Sequence, residues 1–133
     1  MGEIKTRKTD RDKYKIYLEK AKEFYVLMKH AEKERLWAGV GLNGVHCAIS
    51  VCDALTTFYL GVRSISPKHY DAIVLLGKIQ EEEVKSKTSQ LNSILSIKNQ
   101  VEYEAREFRK GDAERIVKQT ERLYKWAIDK LRS

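Results

Sequence analysis

The chain has 133 residues, of which 42% are hydrophobic and 34% charged, with 26 Lys and Arg against 19 Asp and Glu for a net charge of +7. That apolar content argues against intrinsic disorder, and the length matches one domain, residues 1–133, able to bury a core without disulfide or metal staples. One proline and seven glycines leave too little turn chemistry for an all-β fold. The basic excess lies in the outer segments. Residues 1–36 carry 11 basic and 7 acidic groups, residues 37–77 two of each, and residues 78–133 13 and 10. Such a balance permits attraction to nucleic acid, an anionic membrane or an acidic partner without choosing among them.

The N-terminal stretch is charged and lacks an apolar signal core, which argues against secretion. Residues 10–35 read as an amphipathic helix that Thr9 or Asp10 can cap. Its apolar stripe is Tyr14, Tyr17, Leu18, Ala21, Phe24, Tyr25 and Met28 at steps of mostly three or four. His30 is expected on the surface near its end.

Residues 37–61 read as a second helix after a loose start at Gly39, Gly41 and Gly44. It is apolar almost all round and so buried on most sides, with Gly61 as its stop. Asn43, His46 and Asp53 interrupt the stretch, which speaks against a membrane span. Cys47 and Cys52 sit five positions apart, about 140° of helical rotation, so a disulfide between them is not expected. Reduced cytoplasmic thiols are the simplest reading.

Ser66 and Pro67 mark the start of a short third helix running to about Ile79, with Ser66 as cap. Residues 80–84 read as a solvated link. A fourth helix covers about 86–108, with Leu91, Ile94, Leu95, Lys98, Val101 and Ala105 on its inner face. Lys110, Gly111 and Asp112 break it, and either Gly111 or Asp112 can cap a fifth helix over about 112–131. Trp37 and Trp126 read as packing or interface anchors. The expected fold is all-α, an antiparallel bundle of four long helices and one short one.

Three constellations could carry chemistry. Asn43, His46, Ser50, Asp53 and Thr57 recur at steps of three and four, one polar stripe on an apolar helix. It forms either a pocket, in which Asn43 and Asp53 bind and His46 exchanges protons, or a set of hydrogen bonds inside the bundle. Arg63 and His69 bracket the turn before the third helix. An arginine can hold phosphate charge and a histidine can take a proton from a ribose hydroxyl. Alternatively, Arg63 caps the preceding helix carbonyls and His69 is a surface residue. Lys98, Asn99, Tyr103 and Arg106 could meet a phosphate or base, or form a solvated helix face. No Walker loop, HExxH, GxSxG or zinc spacing occurs, and no metal or cofactor is expected.

The segment NGVHCAISVCDAL from Asn43, the link GVRSISPKH from Gly61 to His69, and VEYEAREFRKGDAER from Val101 together resemble the HEPN family over about residues 10–131. The resemblance implies an α-helical bundle, commonly a homodimer. Some such proteins are metal-independent ribonucleases, often toxins of toxin–antitoxin pairs with a small nucleotidyltransferase; others bind nucleotide or nucleic acid without cutting. Nuclease members carry an Arg and a His four to six residues apart. Arg63 and His69, with five residues between, match that spacing, though before the third helix rather than late in the bundle. The expectation is a cytoplasmic, dimeric, non-catalytic module binding a nucleotide, RNA or a nucleotidyltransferase partner, and no membrane. The alternatives are a metal-independent ribonuclease using His46 or His69 with Arg63, and a purely structural assembly module.

Overall fold

The computed structural model describes residues 4–103 and 107–132, the side chains of residues 101–103 excepted. Among the described residues it is 77% helical, with five α-helices and one small two-stranded sheet. A 3-10 turn, Arg11–Lys13, leads into α1, Tyr14–Lys33; α2 is Trp37–Leu60, α3 His69–Leu76, α4 Val84–Tyr103 and α5 Lys110–Arg132. The four long helices and the short third one are those the periodicity predicts.

Helix α2 is the central element. Val40, Val45, Cys47, Ala48, Val51, Cys52, Ala54 and Leu55 are all buried, and α1, α4 and α5 close around them. By length and composition α2 could cross a membrane, but 61% of its most apolar window is packed inside the protein. Its apolar perimeter is therefore the bundle core. Met28 of α1, Leu91 and Ile94 of α4, and Ile116 and Leu123 of α5 complete one continuous cluster. Both cysteines are free and buried.

The glycines at the start of α2 do not loosen it, since the helix is regular from Trp37. They permit close approach. A Cβ at Gly44 would lie 3.1 Å from Ile116 Cδ1 and Cγ1 and 3.3 Å from Met28 Sδ, tighter than ordinary contact. Gly61 ends α2 at φ 68°, a left-handed position that suits glycine.

Several boundaries differ from the sequence reading. Asp10 makes no side-chain cap. Helix α3 begins at His69, behind Lys68, and not at Pro67. Ser66 works one step earlier: its hydroxyl accepts from the Lys68 amide (3.1 Å) and donates to Asp71 Oδ2 (2.6 Å). The 80–84 link is only partly solvated, because Ile79 and Val84 at its ends are buried. Gly111 lies inside α5. Asp112 reaches back to accept from the Arg109 amide (3.0 Å), as the third residue of a capping box does, and pairs with Arg115 (2.6 Å).

The sheet was not expected. Thr6–Lys8 (β1) pairs antiparallel with Val62–Ser64 (β2), Arg7 opposite Arg63. Strands of three residues, TRK and VRS, are too short to carry an alternation to read. The sheet ties the N-terminal segment across the end of α2 and fixes the course of the chain that bears Arg63.

Candidate functional site

The link between α2 and α3 leaves Gly61 as a short strand, so Arg63 projects back toward the helices. Its guanidinium stands 3.9 Å from Asp53 Oδ2 of α2 and 5.3 Å from the centroid of the Tyr17 ring of α1. Carboxylate and aromatic face hold it from two helices. It does not cap α2. That role belongs to Arg11, whose Nη1 donates to the carbonyls of Phe58 (3.1 Å) and Tyr59 (2.9 Å).

Two clefts meet at the Asp53–Arg63 pair. The first, 330 Å³, is lined by Ile49, Asp53, Arg63, Ser64, Ser66, Lys68 and His69, with Ile65 and Ala72. Here the turn places two cationic side chains, two hydroxyls and an imidazole around one space. His69 is the first residue of α3, so the positive end of that helix opens beside it. The second cleft, 440 Å³, runs between α1 and α2, lined by Ile16, Tyr17, Lys20, Glu23, Phe24 and Ser50 as well as by Asp53 and Arg63.

Burial pushes the Asp53 carboxyl up from 3.8 to about 6, opposed by the charges of Arg63 and Lys20. It is therefore poised to change charge near neutral pH. The same cause raises the Cys47 thiol to about 12 and Cys52 still further, so neither offers a reactive thiolate.

The polar stripe of α2 is split by its surroundings. Ser50 and Asp53 face the clefts. His46 lies exposed, stacked on Phe24 at 5.2 Å between centroids. Asn43 turns back along its own helix, donating to the Gly39 carbonyl at 2.8 Å. Thr57 is fully buried, without a hydrogen-bond partner for its hydroxyl among the described residues. On α4, Lys98 is half-buried and Asn99 exposed, and neither lines the two clefts. The Tyr103 side chain and Arg106 lie outside the described residues. Of the eleven sequence candidates, Asp53, Arg63 and His69 share one cleft.

Tyr17, Lys20, Glu23 and Phe24 of α1 were not anticipated there. Tyr17 and Phe24 belong to the apolar stripe, which reads as core, and Lys20 and Glu23 read as solvated. Only knowledge of which residue meets Arg63 would have marked them. No group of three or more His, Cys, Asp or Glu side chains suited to a metal ion occurs among the described residues.

A family model described as the HEPN domain matches residues 14–131. No curated protein and no solved structure matches the chain.

Proposed function

Because the chain belongs to the HEPN family, a family of nucleotide-binding and ribonuclease-type modules, we propose that it binds RNA or a nucleotide through a phosphate held in the cleft of Asp53, Arg63 and His69. The observation that carries this reading is the convergence of Arg63, Lys68 and the α3 N-terminus on that cleft. An arginine offers a planar fork for two phosphate oxygens, a lysine adds a point charge, and the positive end of the α3 dipole favours an anion. Asp53 sets the orientation of Arg63 and keeps one face of it paired until a stronger anion arrives.

The proposed working form is a homodimer in the cytoplasm. Its support is the exposed apolar set Ile65, Tyr70 and Val74 beside the cleft, of which the last two lie one turn apart on α3. The test of binding is fluorescence anisotropy with a short labelled single-stranded RNA. Arg63→Ala is expected to weaken affinity about tenfold or more, on the order of 1–3 kcal/mol. Unchanged affinity in a folded Arg63→Ala variant would refute the reading.

One observation favours a second reading, metal-independent RNA cleavage. Arg63 and His69 line one cleft, so His69 would take the proton of a ribose 2′-hydroxyl while Arg63 steadies charge on the phosphate. His46 lines neither cleft, which leaves His69 as the acceptor in this reading. Incubation of RNA in EDTA with wild type, His69→Ala and, as control, the exposed His30→Ala decides the matter. Cleavage by wild type and His30→Ala but not by folded His69→Ala supports it. Intact RNA with the wild type leaves the binding reading alone.

A further inference from the structure

We propose that the α1–α2 cleft is a subsite for one unpaired nucleobase, whose phosphate is the one held at Arg63. The inference rests on the reading of phosphate binding above and adds what would make the protein prefer single-stranded RNA.

The cleft has the composition such a subsite needs. Its volume, 440 Å³, lies within the range of about 300–1,000 Å³ common to small-molecule sites. Tyr17 and Phe24, two turns apart on α1, both line it. Phe24 already stacks on His46, with 29° between the ring planes, so a planar base would extend an existing stack rather than create one. Tyr17 carries Arg63 over its ring at 5.3 Å and Lys20 at 5.8 Å. The aromatic wall and the phosphate-binding cation are thus one assembly.

In the same lining, Lys20 supplies a donor and Glu23 a carboxyl acceptor, while the Ser50 hydroxyl can do both. Those groups meet the mixed donor and acceptor edge of a base. The Asp53–Arg63 pair belongs to both clefts, so a base on the α1 side and a phosphate on the α3 side would lie to either side of the same guanidinium. A base inside a duplex is stacked on both faces and paired along its edge, and it cannot enter.

The test compares three probes on the full chain: a short single-stranded RNA, the same ribose-phosphate chain without bases, and a duplex of the same sequence. Wild type is expected to bind the single strand about tenfold more tightly than either of the others, the size of effect that loss of one aromatic–base stack produces. Phe24→Leu keeps an apolar side chain in the half-buried position and should reduce that preference. Glu23→Gln changes only an exposed group and should lower the preference for the single strand over the base-free chain, the ratio cancelling the effect of the lost charge on both. Equal affinity of wild type for the single strand and the base-free chain would overturn the base subsite and leave phosphate binding standing. Failure of all three probes to bind would overturn both.

Discussion

Replacing Asp53 by Asn should stabilise the protein at neutral pH, although it removes half of an ion pair. The carboxyl is 17% exposed and sits 3.9 Å from the nearest Arg63 nitrogen, too far for a strong hydrogen bond. Burial outweighs the attraction of Arg63 and Lys20, so the folded-state pKa is about 6 against 3.8 for the unfolded chain. Below 3.8 both states hold the proton. Between 3.8 and about 6 the folded state keeps a proton that the unfolded state has lost, so stability falls as pH rises through this window. Above it the penalty is constant. A difference of about two units, at about 1.4 kcal/mol each, gives about 3 kcal/mol, a sizeable part of the 5–15 kcal/mol of an ordinary domain. Asn mimics the protonated side chain in shape and charge. Urea unfolding from pH 4 to pH 8 should show the variant level with wild type at pH 4 and more stable by about 3 kcal/mol at pH 8. A variant less stable than wild type at pH 8, or a gap that does not grow between pH 4 and pH 6, would refute the claim that desolvation dominates at Asp53.

Other packing features make their own predictions. Gly44→Ala places a methyl group against Ile116 and should cost about 1–2 kcal/mol in thermal unfolding despite better helix propensity; Ile116→Val in the same chain should recover part of the loss. Asp112→Ala removes the back-bond to the Arg109 amide and should cost about 1 kcal/mol, with faster amide hydrogen exchange in the first turn of α5. Glu83 holds a left-handed φ of 70° on an exposed link, so Glu83→Gly should raise stability by a few tenths of a kcal/mol, read as a higher denaturant midpoint at unchanged slope. Tyr25→Phe deletes the 2.7 Å bond to Glu121 and should cost about 1 kcal/mol by the same measurement.

The bundle could be read from the sequence because helix periodicity is a local property. The apolar circumference of α2 announces its central place, and Gly61 announces its end. What could not be read depends on which helix face meets which neighbour. Asn99 and Tyr103 share a helical spacing, but spacing along α4 does not say whether α4 faces Arg63, and neither Lys98 nor Asn99 lines its clefts. The stripe from Asn43 to Thr57 is continuous in sequence, yet α2 is covered differently along its length. Asn43 bonds within its own helix, Thr57 is sealed in the core, and Ser50 and Asp53 open to the clefts. Gly44 reads as a weak helix former until Ile116 is seen to occupy the space above it. Arg11, 50 residues before Gly61, takes the capping role that the sequence offers Arg63, through pairing of strands too short to leave a pattern.

The central claim is that the Asp53–Arg63–His69 cleft is where nucleic acid binds, and titration of the isotope-labelled protein with single-stranded RNA, followed by amide and side-chain chemical shifts, tests it most directly. The account predicts that the shifts cluster on Ile49, Asp53, the segment from Arg63 to His69, and Ala72. Shifts concentrated instead on the exposed basic residues of α5, such as Lys118, Arg122 and Lys125, or no shifts at saturating RNA, would contradict it.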